Sequence, residues 1–367
     1  MKYIFYVLLL VSGIASIAGC ENDIELNAPY KETTIIFGVL DIGADTQFIR
    51  INKTFLGDGN ALDMALIKDS SEYDPTTVNA YLLKNDETPS EENKLQYTTI
   101  AQRDPGVFYD QNVIIYYSTR PLLDAEEDYL DVTYHLEVQI GDKIVKGSTK
   151  LVKLKVSNIK RPTGNLAIDP SSSAGLTLMT GTNYIAKNIE VESPVNAKRF
   201  EAAYVLNFNE EYLDGTSELK SIVYNAGVQK TEKTDGGSLL SFGVNTEGLY
   251  SFWGQAVDAN PNIKHRAVYN IETVVTISAE DLSTYIDINQ PISGIVTERP
   301  VFTNIENGIG IFSSKFTFTK TKTVGGGPNS RPDTYKEFKQ GQYTSNACFC
   351  DTLPGSSYNC NVLPSCN

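Results

Sequence analysis

No cysteine stands between Cys20 and Cys348, and imidazole and indole are scarce, with two histidines and one tryptophan in 367 residues. Sparse histidine leaves little for acid–base chemistry at neutral pH. His135 alternates with Tyr134 and Leu136 in a strand-like run, and Lys264-His265-Arg266 reads as a solvated loop. There is no G-x-S-x-G elbow and no H-E-x-x-H helix. After Ile17 no apolar run approaches the roughly 20 residues needed to span a bilayer. Basic charge is also short: the net charge is −14, so the surface repels phosphate backbones and a nucleic-acid partner is excluded. No cofactor motif is present and no internal repeat is evident.

What the chain does have begins at residue 1. Lys2, an apolar stretch from Ile4 to Ile17 and the run Ile17-Ala18-Gly19-Cys20 form a secretory signal of residues 1–19. The small residues before Cys20 resemble a bacterial lipobox, which implies cleavage before that cysteine and acylation of its thiol. Each buried methylene contributes about 0.8 kcal/mol, so two or three acyl chains anchor a protein almost permanently. Residues 20–30 then form a lipidated stalk, acidic at Glu21, Asp23 and Glu25. Acidic residues in this place resemble an export signal to the outer face of the outer membrane. The expected location is therefore the outer membrane, lipid-anchored, facing the cell surface in preference to the periplasm.

The other four cysteines, Cys348, Cys350, Cys360 and Cys366, crowd the C-terminus. An even number in an exported chain implies disulfides. Pairing Cys348 with Cys350 would close a very tight ring, so crossed or nested pairs to Cys360 and Cys366 are expected. A zinc site would ordinarily use paired C-x-x-C motifs, and these spacings depart from that.

The body of the chain reads as all-β. Period-two patterns run through Thr33–Leu40, Gln47–Asn52, Val78–Leu83, Lys94–Ile100, Val113–Tyr117, Val132–Ile140 and Lys143–Val156, with a helix at Asn60–Ile67. This spacing predicts an immunoglobulin-like β-sandwich over 31–157. A Pro- and Ser-rich stretch near Arg161–Ser173 separates it from a second β-rich domain, 158–324. Strands are expected there at Ile185–Glu192, Ala202–Asn209, Leu219–Asn225, Gly248–Val257, Asn270–Ser278, Val301–Thr303 and Ile309–Thr319. A short helix capped by Ser278 is expected at Ala279–Tyr285. Residues 325–367 read as a Gly/Pro linker and Cys-rich tail. The fold class is thus two β-sandwich-like domains with a short helix and a disulfide-rich C-terminal tail.

Glu298 to Phe312, with its Asn-Ile-x-x-Gly-x-Gly-x-Phe core at Asn304–Phe312, resembles the closing motif of a Bacteroidota family of uncharacterised outer-membrane lipoproteins. The lipobox and the Tyr-rich hairpin from Tyr134 to Leu151 fit the same layout. The resemblance implies a domain of unknown function and, as partner, a TonB-dependent outer-membrane transporter or another envelope protein. Read physically, Asn304, Asn307, Gly308 and Gly310 describe a tight turn or bulge feeding the strand that begins at Ile309. Two acidic clusters offer oxygen ligands for calcium, Asp58 with Asn60 and Asp63, and Asp124 with Glu126, Glu127, Asp128 and Asp131. Neither has EF-hand spacing, and both also read as exposed loops. Trp253 and the 21 tyrosines are either strand packing or a binding platform. The expected function is a non-catalytic binding or accessory component of surface nutrient uptake or envelope assembly. The alternative is a lipid-anchored hydrolase of polysaccharide or peptide.

Overall fold

The structure, a computed structural model, describes residues 32–55, 60–102, 106, 109, 111–125, 127–161, 176–290, 301–324, 332–352 and 355–361. Of the described residues, 48% are strand and 17% helix. In the first half lie β1 (Thr34–Asp41), β2 (Gln47–Lys53), β3 (Val78–Lys84), β4 (Gln96–Gln102), β5 (Gln111–Ser118), β6 (Thr133–Ile140) and β7 (Lys143–Lys150). Then come β8 (Ile159–Arg161), β9 (Met179–Thr180), β10 (Asn183–Tyr184), β11 (Ile189–Glu192), β12 (Ala197–Tyr212), β13 (Ser217–Lys230) and β14 (Leu239–Phe242). Last are β15 (Ile263–Ala279), β16 (Ile305–Glu306), β17 (Gly308–Thr323) and β18 (Phe349–Asp351). Among the described residues, five α-helices accompany them: α1 (Ala61–Ala65), α2 (Lys68–Ser71), α3 (Thr246–Gln255), α4 (Glu280–Asn289) and α5 (Pro332–Gln340).

A nine-stranded sheet runs β13-β12-β15-β17-β1-β2-β5-β4, with β18 attached to β15. A four-stranded sheet, β16-β7-β6-β3, faces one end of it, and β14-β11-β8 forms a smaller sheet of three. The all-β, sandwich-like expectation therefore holds. Alternation explains the layers. In β1, Ile36 and Leu40 point into the first core with Ile49 and Ile51 of β2, and Leu136 and Val138 of β6 meet them from the opposite sheet.

One strand joins the two halves. The first part of β17 pairs in parallel with β1, from Gly308↔Thr34 to Lys315↔Asp41. Its second part pairs antiparallel with β15, from Lys315↔Ser278 to Thr323↔Asn270. The first core takes Ile305 and Phe312 from this late segment, and it ends at Leu151, while Val152 already belongs to the second core. The first core thus draws on residues from both sides of the expected division at 157/158. The first unit takes its closing strand from residues beyond 300, where Ile305 and Phe312 add apolar side chains to its core.

The Asn/Gly motif makes this closure possible, in agreement with its structural reading. A Cβ on Gly310 (φ +113°) would lie 1.9 Å from the Ile36 carbonyl oxygen, and one on Gly308 would lie 2.8 Å from that of Thr34. Only glycine lets the two backbones approach so closely. The Asn304 amide clamps Phe312 from both sides, accepting from its N–H (3.0 Å) and donating to its carbonyl (2.7 Å). Asn307, at φ 58°, takes the left-handed turn and donates to the Ile144 carbonyl at 3.0 Å.

Three local expectations are corrected. Residues 248–257 lie on helix α3 and its C-terminal end rather than on a strand. Asn245 caps the helix by accepting from Glu247 N–H at 3.0 Å, and Leu249, Tyr250 and Trp253 fall on one buried face. Ser278 does not cap the following helix: it stays in β15, and Ala279 is the N-cap without a side-chain bond. Residues 301–303 are not a strand; pairing starts at Ile305, opposite Gly147 of β7. The disulfide-bearing C-terminal tail expected from the cysteines also contributes to the second core. Tyr335 and Phe338 of α5, with Ala347 and Phe349, are buried in the second core.

Replacing Gly310 with Ala is expected to lower the unfolding free energy by at least about 2 kcal/mol, since it adds both a forbidden φ and a clash. Gly243, with open space around it, is the control: Gly243→Ala should change stability by less than about 0.5 kcal/mol. Denaturant titration of both variants checks this, and equal effects would overturn the account of the motif.

Candidate functional site

The hairpin β6–β7 turns Tyr134, Leu136, Val138 and Val145 inward, so by strict alternation His135, Glu137, Lys146 and Ser148 face outward. Cross-strand register sets His135 beside Ser148 and Glu137 beside Lys146. Glu306 of β16 continues the second row opposite Lys146. With Glu87, Thr88 and Pro89 of the loop after β3, and with Asn304, these residues line a groove of about 450 Å³. A second hollow of about 380 Å³ adjoins it through Ser148 and runs past Thr133, Lys150, Asn196 and Thr234 to Glu280 and Asp281. Hydroxyls, amides and charges line it.

Two carboxylates of the groove, Glu87 and Glu137, are already paired. Glu87 takes a two-point bond from Arg120 (2.9 and 2.5 Å). That bond, outweighing burial, holds its carboxyl below the usual range. Glu137 accepts from Gln139 at 2.8 Å and pairs with Lys146 at 3.2 Å; the Gln139 bond first, then Lys146, keeps it ionised. Neither carboxyl is poised to donate a proton near pH 7. No hydrogen bond joins His135 to Ser148 or Glu137 among the described residues. The arrangement suits the holding of a polar ligand rather than activation of a nucleophile.

The other candidates are dispersed. Cys20, Asp58, Glu126 and Cys366 lie outside the described residues. Asn60 caps α1 by accepting from Leu62 N–H at 3.0 Å, and Asp63 sits in the first turn of that helix. Asp124 and Glu127 both bind Lys84, at 3.2 Å in the case of Asp124. Burial alone would lower the Lys84 ammonium, but the two carboxylates outweigh it and raise it. Asp128 accepts from Leu130 N–H at 3.1 Å, capping a single helical turn. The acidic clusters therefore serve caps and an ion pair, and no group of three or more potential metal ligands forms among the described residues.

Of the cysteines, Cys350 bonds to Cys360, as the avoidance of a Cys348–Cys350 ring leads one to expect, and Cys348 is disulfide-bonded too. Trp253 is fully buried, stacked on Phe338 with ring centroids 5.4 Å apart, so it is core and not a platform.

Lys264-His265-Arg266 also departs from expectation. It lies in β15 rather than in a solvated loop, because β12 pairs it on one side and β18 on the other. Arg266, 3% exposed, donates to Glu210 at 2.7 Å and to the carbonyls of Ala347 and Asp258 at 2.8 Å. Burial would raise the Glu210 carboxyl, but bonds from Lys220, Arg266 and Tyr212 outweigh it and hold it low. Sequence reasoning missed the groove itself. The outward half of the β6–β7 alternation was its only signal.

Compared with known proteins, the chain matches no family model and no curated protein.

Burial pushes the His265 imidazole below its ordinary value of 6.5, with Glu211 opposing and Lys264 and Lys339 assisting. The unfolded chain then takes up this proton first. Stability from this residue is complete above pH 6.5 and falls as pH drops through the window below it. His265→Gln should flatten the slope of stability between pH 7 and 5; an unchanged slope in denaturant titrations would refute the assignment.

Proposed function

We propose that this protein is a lipid-anchored surface component that binds without catalysis, tethered through Cys20 to the outer membrane. What supports the reading most is the groove over β6, β7 and β16: its Glu87 and Glu137 carboxylates are paired with Arg120 and Lys146, and His135 and Ser148 stand side by side unbonded. Such a surface offers hydroxyl, amide and paired-charge contacts to a polar polymer, a nutrient or an envelope partner, and no activated nucleophile. The lipobox at Cys20 and the Asn304–Phe312 segment resemble those of outer-membrane lipoproteins that accompany TonB-dependent transporters. The chain is accordingly read as an accessory of uptake or envelope assembly.

Two outcomes are expected. Cys20→Ala should abolish palmitate labelling and release the chain from membranes; retained labelling would reject the anchor. Panels of glycans and peptides should show no turnover. Clear hydrolysis that a single substitution of Ser148, Glu137 or Glu306 abolishes would replace the binding reading with the hydrolase one.

A further inference from the structure

The nine-stranded sheet has two outer edges, β13 and β4, and they differ. An edge strand carries unpaired N–H and C=O groups that template another strand unless something blunts it. β13 is blunted. It carries Glu218, Lys220 and Lys230, its register breaks opposite Ala202/Ala203, and Gly227 sits there at φ +126°. Gln229 also reaches across to the Ser241 carbonyl of β14 at 2.5 Å.

β4 has none of these devices. Its sequence, Gln96-Tyr97-Thr98-Thr99-Ile100-Ala101-Gln102, holds no charge, proline or glycine, and its register with β5 does not shift. Residues 96–100 are all exposed, Tyr97 at 49% and Ile100 at 39%. No other strand among the described residues pairs with its outer side.

We propose that β4 is a homodimer interface, formed by antiparallel edge pairing of two copies about a two-fold axis through Thr99. The occupant is a second copy because the strand is self-complementary, which an isologous contact requires and capture of a foreign strand does not. About Thr99, Thr98 falls opposite Ile100, a pairing of β-branched residues. Position 97 falls opposite 101, and position 96 opposite 102. No like charges oppose each other anywhere along the seven residues. The pairing would make one continuous sheet across both copies. None of the seven residues of β4 lines the groove, so the pairing stands independently of the function proposed above.

Thr99→Cys in the full chain, mildly oxidised in membranes or detergent and run on a non-reducing gel, should give a disulfide-linked dimer of twice the chain mass. Gln96→Cys should not, because the two-fold places residues 96 of the two copies roughly 20 Å apart along the strands. Adding Ile100→Lys to Thr99→Cys should abolish the dimer while leaving the thermal unfolding midpoint within a few degrees. A Thr99→Cys chain that stays monomeric overturns the proposal, as does equal crosslinking by Gln96→Cys. Capture of a different protein by Thr99→Cys in place of the homodimer also overturns it, and would make β4 the docking edge for a foreign strand.

Discussion

The architecture depends on the close approach of β17 to β1. That contact turns an open set of strands into a closed first core, and the same strand then runs on to become the floor of the second. Lys315 is the handover point, opposite Asp41 on one side and Ser278 on the other. Neither half of the molecule can be completed until the chain has been made past residue 300. The pairing of β1 with β17 is also extremely non-local, so loop-closure entropy opposes it until many contacts form together. A contact of that kind needs strong local specification. The glycines at 308 and 310 and the Asn304 clamp supply it through shape and hydrogen bonding rather than through hydrophobic mass. Phe312, fully buried beneath Gly147, then adds the apolar burial that makes the closure favourable.

A second constraint acts at the C-terminus. β18 is only three residues long, too short to hold its place by backbone bonds alone. It is fixed by a disulfide between residues ten apart, which in the chain-entropy view stabilises by about 3 kcal/mol, and by the Arg266 guanidinium behind it. The buried Arg266–Glu210 pair contributes little net stability against a well-packed apolar pair, yet losing one partner would strand a charge at a cost of about 3–5 kcal/mol. Its effect is therefore positional. One guanidinium ties β12, the loop at Asp258 and the segment at Ala347 to a single geometry. That is why Tyr335, Phe338 and Phe349 can sit in the second core although they follow a Gly-rich break in the sequence.

Much of the β architecture was legible because half-buried strands print a period of two. β1, β2, β3, β5 and β6 lie within two residues of where alternation places them. Helix α3 was not, since Tyr250, Phe252 and Trp253 favour strands intrinsically, and the decisive signals were the Asn245 cap and the helical spacing of the buried face. His265 and Arg266 looked solvent-exposed because local charge says nothing about a strand that will add on the far side from residue 349. The Asn/Gly motif was read correctly as a turn feeding a strand. Its partner, the first strand of the chain, left no local trace. The groove was half visible: alternation marks which side of β6 and β7 is outward, but Glu306 and Asn304 reach it only through the pairing of β16 with β7.

The distribution of charge bears on function more than any single residue does. An acidic surface could have concentrated unpaired carboxylates in a cleft, raising their proton affinity through mutual repulsion and desolvation, as acid–base sites do. Here the buried and half-buried acids have the opposite environment. Glu87, Glu137 and Glu210 each take hydrogen bonds from a cation or an amide, and each is driven further into the ionised state. Groups held so firmly in one protonation state make poor proton-transfer catalysts and good fixed contacts. Their geometry survives changes of pH and salt better than that of exposed charges, because partly buried pairs are less screened. On the function proposed above, such a preset polar face would serve as a fixed set of contacts for a ligand.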